Sequence, residues 1–118
     1  MSNGDAKTTE AVLKHHDEAL VSRNIEGIME DYVDDSVIFT PSGSFKGLDA
    51  IRANFTGVLQ MMAPEVMANM KTIKQDIDGE YGYVLWSAAP AIPFAGDTFH
   101  VHNGKIVMQS VVLCQAGS

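Results

Sequence analysis

The sequence predicts an α+β domain in which a curved, cone-shaped antiparallel sheet wraps over N-terminal helices. Three observations carry this. Apolar residues recur at helical spacing up to Pro64, the period turns strand-like beyond it, and the turn signals Asp78-Gly79-Glu80 and Asn103-Gly104 divide the second part into hairpins.

From Thr8 to Ser22, Val12, Leu13, His16, Ala19 and Leu20 form an apolar stripe, with Lys14, Asp17, Glu18 and Arg23 on other faces of a first helix. A second, short helix fits Ile25 to Tyr32, capped by Asn24 and broken by Asp34-Asp35. Ser36 to Thr40 is β-branched and aromatic and stops at Pro41-Ser42-Gly43, a strand closed by a turn. After Gly47, Leu48, Ile51, Phe55 and Leu59 step along a third helix that Pro64 ends at the latest. Val66 to Ile77 and Tyr81 to Ala88 then read as one hairpin, and Thr98 to His102 and Lys105 to Cys114 as another. Pro90 and Pro93 cannot donate to a ladder, so the segment between the hairpins is expected to be an irregular or edge connection.

At 118 residues, 46% hydrophobic and 19% charged, the chain has the size and composition of one soluble domain, with an ordered core over about residues 10–114. A formal charge of −7 without a basic patch argues against nucleic acid as a partner. The polar opening and the lack of any apolar run long enough for a membrane span make a cytoplasmic protein the expectation, with no membrane partner. The lone Cys114 excludes an internal disulfide and is read as edge packing.

The stretch G-D-T-F-H-V-H-N-G, residues 96–104, carries the chemistry. Alternation sends Asp97, Phe99 and Val101 to one face and Thr98, His100 and His102 to the other. The apolar partners of Asp97 point it inward, where a buried carboxylate without purpose is costly. An H-x-H pair on one strand face can chelate. A cupin-type site also needs a glutamate soon after the second histidine and a later histidine, and residues 103–118 contain neither, so no metal is expected. Met61, Met62, Met67 and Met70 are read as adaptable packing near a pocket mouth. Gln109, Val111 and Leu113 alternate on one face, which makes Gln109 the extra polar contact for a ligand.

The element order, with D-Y-V-D-D-S-V-I-F-T-P-S-G at 31–43, G-L-D-A-I-R-A-N-F at 47–55 and D-T-F-H-V-H-N-G-K-I-V at 97–107, resembles the nuclear-transport-factor-2-like superfamily, and within it the SnoaL-like and ketosteroid-isomerase-like branch. The resemblance covers about residues 10–114 and implies a cystatin-like α+β barrel with a hydrophobic pocket. It places Asp97 at the family's hydrogen-bond-donating aspartic acid, His16 at its oxyanion-binding tyrosine, and Thr40 at its proton-shuttling aspartate. A hydroxyl cannot be a base near neutral pH, so the steroid-isomerase mechanism does not carry over intact. SnoaL-like cyclases are similar in pattern and use a pocket aspartate as acid/base, which suits a chain that keeps Asp97.

The resemblance implies Asp97 and His16 as catalytic residues, and Thr40, Phe55, Leu59, Tyr83, Leu85, Phe99, Gln109 and Leu113 as substrate contacts. It also implies a homodimer and no cofactor. The expected activity is isomerisation or cyclisation of a small hydrophobic carbonyl compound, polyketide- or steroid-like, by proton transfer. The alternative is a non-catalytic hydrophobic-ligand-binding or dimerisation module of the same fold. An epoxide-hydrolase-like site would need two acids and an arginine around a water, and neither Arg23 nor Arg52 has an obvious second inward acid near it.

Overall fold

The computed structural model describes residues 2–114, with side chains from residue 5 onward. Four helices, α1 (Ser2–Val21), α2 (Ile25–Met29), α3 (Leu48–Met61) and α4 (Pro64–Ala68), accompany six strands: β1 (Tyr32–Thr40), β2 (Gly43–Lys46), β3 (Lys71–Asp78), β4 (Tyr81–Ala88), β5 (Ile92–His102) and β6 (Lys105–Cys114). The strands form one sheet in the order β2-β1-β6-β5-β4-β3. Every pairing is antiparallel except β1 with β6, which is parallel. The sheet is curved and stays open rather than closing into a barrel.

Its curvature has a local cause. Register shifts lie between Thr72 and Lys74, Trp86 and Ala88, and His100 and Val101, and each extra residue bends its strand and raises the local twist. A larger excursion separates the Tyr32–Ile106 and Val37–Met108 pairs, and the buried Ser36 stitches it: its Oγ donates to the Ile106 carbonyl at 2.6 Å and accepts from the Val33 amide at 2.9 Å. Tyr32 is therefore in β1, and α2 stops earlier than the sequence suggests. Asn24 caps α2 by accepting from the Gly27 amide at 3.1 Å.

Three other boundaries differ. Pro64 begins a helix instead of only ending one, because a residue with no N–H loses nothing at a first helical position. Val66 and Met67 are consequently helical and β3 starts at Lys71. β5 starts at Ile92 and runs through Pro93, which sits inside the Trp86/Ala88 register shift where no ladder bond is owed. The four-residue β2, too short for a period-two signal, pairs with the end of β1.

α1 packs across β3, β4 and β5, and α3 across β1 and β2, so both helices lie on the same concave face. Gly82 shows how closely α1 approaches: a Cβ there would stand 2.8 Å from Leu13 Cδ1. One apolar cluster centres on Leu13, Ile28, Ile38, Ile51, Phe99 and Ile106, and a second on Met62, Met67, Ala88, Ile92 and Ala95. Leu20, Val58 and Trp86 touch both clusters, and the space between them is left unfilled. Among the described residues no helix is long and apolar enough to cross a membrane.

Candidate functional site

The unfilled space is a cavity of about 190 Å³ bounded by α1, α3, α4 and the concave face of the sheet. From α1 it takes Leu13, His16, Asp17, Leu20 and Val21, at spacings of i, i+3, i+4, i+7 and i+8 along one helical stripe. Val84, Trp86, Asp97, Phe99, Gln109, Val111 and Leu113 come from the sheet, with Lys71 and Thr72 at the start of β3, and Met62, Met67 and Met70 add thioethers to the lining.

Asp97 is 7% exposed, and both carboxylate oxygens accept side-chain hydrogen bonds. Trp86 Nε1 donates to Oδ1 at 2.8 Å, and Gln109 Nε2 donates to Oδ2 at 2.9 Å. The Tyr32 hydroxyl donates in turn to Gln109 Oε1, which fixes the orientation of that amide. Cross-strand register explains the convergence. Val84 and Val111 flank Asp97 directly, so Trp86 and Gln109 are its diagonal neighbours on the same face. Burial pushes the Asp97 carboxyl up to about 6, against the opposing pull of Trp86 and Gln109. Burial also holds Tyr32 far above its usual range, so it stays a protonated donor.

His16 is 2% exposed, and its ring meets Tyr32, Phe55 and Phe99 edge-on at centroid distances of 6.1, 5.7 and 5.6 Å. Its Nδ1 is buried without a hydrogen-bond partner. Desolvation, helped by the neighbouring His15, lowers its pKa to about 4, so the imidazole is neutral at pH 7. Asp17 stands beside it on α1, raised to about 6 by burial and then by the charge of Asp97. The cavity thus holds two carboxyls that titrate near pH 6 and one neutral imidazole in a mostly apolar lining, to which Lys71, Thr72 and Gln109 add other polar side chains.

His16, Phe55, Asp97, Phe99, Gln109 and Leu113 all line this cavity. Four expected contacts do not. Tyr83 and Leu85 lie on the outer face, Tyr83 being 40% exposed, because Val84 is the residue paired with Asp97. Leu59 packs against both apolar clusters instead, since Phe55, Val58 and Met62 form the cavity-facing row of α3 and its end. Thr40 is held by the β1–β2 turn, its hydroxyl donating to the Gly43 carbonyl at 2.9 Å and accepting from the Ser42 amide at 3.1 Å.

Asp17, Lys71, Thr72 and Trp86 in the lining, and Tyr32 behind Gln109, are polar residues of the site that the sequence reading does not pick out. Asp17, expected on another face of the first helix, instead lines the cavity beside His16, because a residue four positions after Leu13 and three before Leu20 shares their side of the helix. Gly82 is the signal for Trp86, because a glycine within a strand marks the face that something approaches closely, and Val84 and Trp86 share it. Asp17 also supplies a second inward acid, but no arginine joins it. Arg23 donates to the carbonyls of Met62, at 2.6 Å, and Leu59 at the end of α3, while Arg52 pairs with Glu26.

No protein-family model matches the chain, and no curated protein matches its sequence. Solved structures do match it. An NTF2-like protein of unknown function from Burkholderia xenovorans superposes with a TM-score of 0.78 at 16% identity, covering 97% of this chain and 88% of its own. A SnoaL-like protein of unknown function from Burkholderia thailandensis gives 0.74 at 14% identity, covering 92% and 95%. A candidate polyketide cyclase from Sinorhizobium meliloti gives 0.72 at 15% identity, covering 86% and 94%. With its open curved sheet, its helices on the concave face and a cavity between them, the chain has the nuclear-transport-factor-2-like fold.

Proposed function

We propose that the protein is a cofactor-independent proton-transfer enzyme, an isomerase or cyclase, acting on a small apolar carbonyl compound. The observation that carries this is a carboxyl poised near pH 6 in a mostly apolar cavity whose lining also holds a neutral imidazole with an unpartnered ring nitrogen.

In this reading ionised Asp97 removes a proton from the carbon next to the substrate carbonyl. The electron pair moves onto the carbonyl oxygen, and His16, neutral and protonated on the nitrogen that faces it, donates a hydrogen bond to the developing enolate. Asp97 then returns the proton to a different carbon, or to oxygen. Trp86 and Gln109 hold both carboxylate oxygens while leaving a lone pair on each, and Tyr32 keeps Gln109 presenting its N–H. Cavity size narrows the substrate. An engineered apolar cavity of about 150 Å³ takes up benzene. At about 190 Å³, this one suits a single substituted ring rather than a four-ring steroid.

The test is exchange of α-protons of small cyclic ketones in D₂O, followed by NMR. Wild type should accelerate exchange, Asp97→Asn should lower the rate by about 10²–10⁴-fold, and His16→Phe by about 10²-fold. Buffer-level exchange in wild type, or equal rates in all three proteins, overturns the proposal. The rival, a binding module without turnover, draws support from the donor that each Asp97 oxygen already accepts from. It predicts uptake of the same ketones with no exchange.

A further inference from the structure

On the outer face of the sheet, away from the cavity, His100 Nε2 lies 2.9 Å from Glu80 Oε1 and His102 Nδ1 lies 3.0 Å from Glu80 Oε2. One ligand atom from each of the three side chains falls within 4.8 Å of the other two. From this juxtaposition of two imidazoles and a carboxylate we infer a divalent transition-metal site joining the β3–β4 turn to the end of β5.

The donor set selects the class of ion. Two histidines and one carboxylate suit zinc and its neighbours in the first transition row, and are poor ligands for calcium or magnesium, which take oxygen. Ligand atoms about 2.1 Å from a tetrahedral zinc stand about 3.4 Å apart. The two His–Glu contacts, made to opposite oxygens of the carboxylate, need to open by about 0.4 to 0.5 Å and the remaining ligand-atom separation, within 4.8 Å, to close toward that spacing, adjustments that side-chain rotation supplies. Each neutral imidazole then carries its proton on the ring nitrogen turned away from the metal.

The ligands are preorganised. Glu80 is anchored by its own carbonyl, which accepts from the Val101 amide at 2.7 Å, so its side chain is held beside the strand that carries both histidines. Tyr81 stacks on His100 at a centroid distance of 4.6 Å and restricts that ring. Lys105, opposite His102 in the ladder, sends its ammonium to the Glu30 carbonyl at 2.5 Å, so the cation is engaged elsewhere. His100 and Glu80 are about one-third exposed and His102 is half-exposed, so an ion can reach the site and keep water on its remaining position. The H-x-H pair gains its glutamate from 20 residues upstream in the chain, the direction opposite to the cupin spacing.

The experiment is calorimetric titration of the full chain with Zn²⁺, repeated with Co²⁺ to read the visible spectrum. Expected are one equivalent bound with micromolar affinity and a tetrahedral cobalt spectrum. Glu80→Gln and His102→Gln should each weaken binding by at least about tenfold. His15→Gln, which removes the histidine beside Asp31 and Glu30, should leave it unchanged. Saturation to about 100 times the dissociation constant should raise the ratio of folded to unfolded chain about 100-fold, seen as a higher melting temperature. No stoichiometric binding to a wild type that is folded by circular dichroism overturns the inference. So does binding that survives both Glu80→Gln and His102→Gln.

Discussion

Replacing Asp97 with asparagine should make the protein more stable at neutral pH even as it removes the proposed base. Below about pH 3.8 the carboxyl is protonated in folded and unfolded chains alike and its ionisation costs nothing. As pH rises the unfolded chain releases this proton first, the folded chain holds it up to about pH 6, and stability falls across that window. Two units of displacement correspond to about 3 kcal/mol. With the group only 7% exposed, solvent screening removes little of this.

Asparagine at 97 escapes the penalty but must be fitted into the hydrogen-bond chain. Its amide nitrogen takes the place of Oδ2 and faces Gln109 Nε2, so Gln109 has to turn over and the Tyr32 hydroxyl has to rotate from donor to acceptor. If that rearrangement costs about 1 kcal/mol, the variant is about 2 kcal/mol more stable than wild type at pH 8 and about 0.5 kcal/mol less stable near pH 4. Removing the charge at 97 also lets the Asp17 pKa fall, which adds to the gain. Urea unfolding followed by the fluorescence of Trp86, the only tryptophan, at several pH values measures the difference. A stability difference that is constant from pH 4 to 8 would refute the claim that the native fold desolvates this carboxyl.

Three other predictions concern the same architecture. His16 should remain neutral down to about pH 4 while His15, raised by Asp31, titrates above the usual range; imidazole NMR distinguishes them, and protonation of His16 near pH 6.5 would contradict its burial. Because the His16 pKa is lowered, its contribution to stability is complete above pH 6.5 and is lost as pH falls toward 4. Gly82→Ala should cost about 1–3 kcal/mol by thermal melt, since the new Cβ meets Leu13 Cδ1, and an unchanged melting temperature would place α1 further from the sheet. Tyr32→Phe should destabilise by about 1–3 kcal/mol by leaving Gln109 Oε1 unpaired, and should raise the Asp97 pKa in a carboxyl NMR titration as the amide is freed to turn over.

The fold is legible in the sequence wherever periodicity and turn chemistry agree. Asn103 and Gly104 take φ values of 52° and 76°, the left-handed pair that a tight hairpin demands, and the β5–β6 ladder follows from it. Pro93 misleads, because the rule that proline avoids ladders fails at a register shift where its missing N–H is not needed. Within the site, Asp97 and Gln109 are readable because they alternate with Phe99 and Val111. The facing of β4 is not readable from alternation alone: Tyr83-Val84-Leu85-Trp86 is apolar on both faces, and only Gly82 breaks the tie. Thr40 shows the other kind of miss, in which a position matched by resemblance is diverted by a turn that occupies its hydroxyl.

The parallel pairing of β1 with β6 makes β6 the keystone of the sheet, bridging a β1–β2 wing from one end of the sequence and a β5–β4–β3 wing from further along. Neither wing is joined to the other in the ladder without it, so a nascent chain interrupted before Lys105 holds two sheet fragments bridged by α1, α2 and α3, and an incomplete cavity. Contacts that span some 70 residues, such as Ser36 with Ile106, put the late closing event in the slow, non-local regime of folding. Until that strand docks, the exposed strand borders on both sides of the gap offer themselves to other chains, and this brief interval is when the protein is most vulnerable to aggregation.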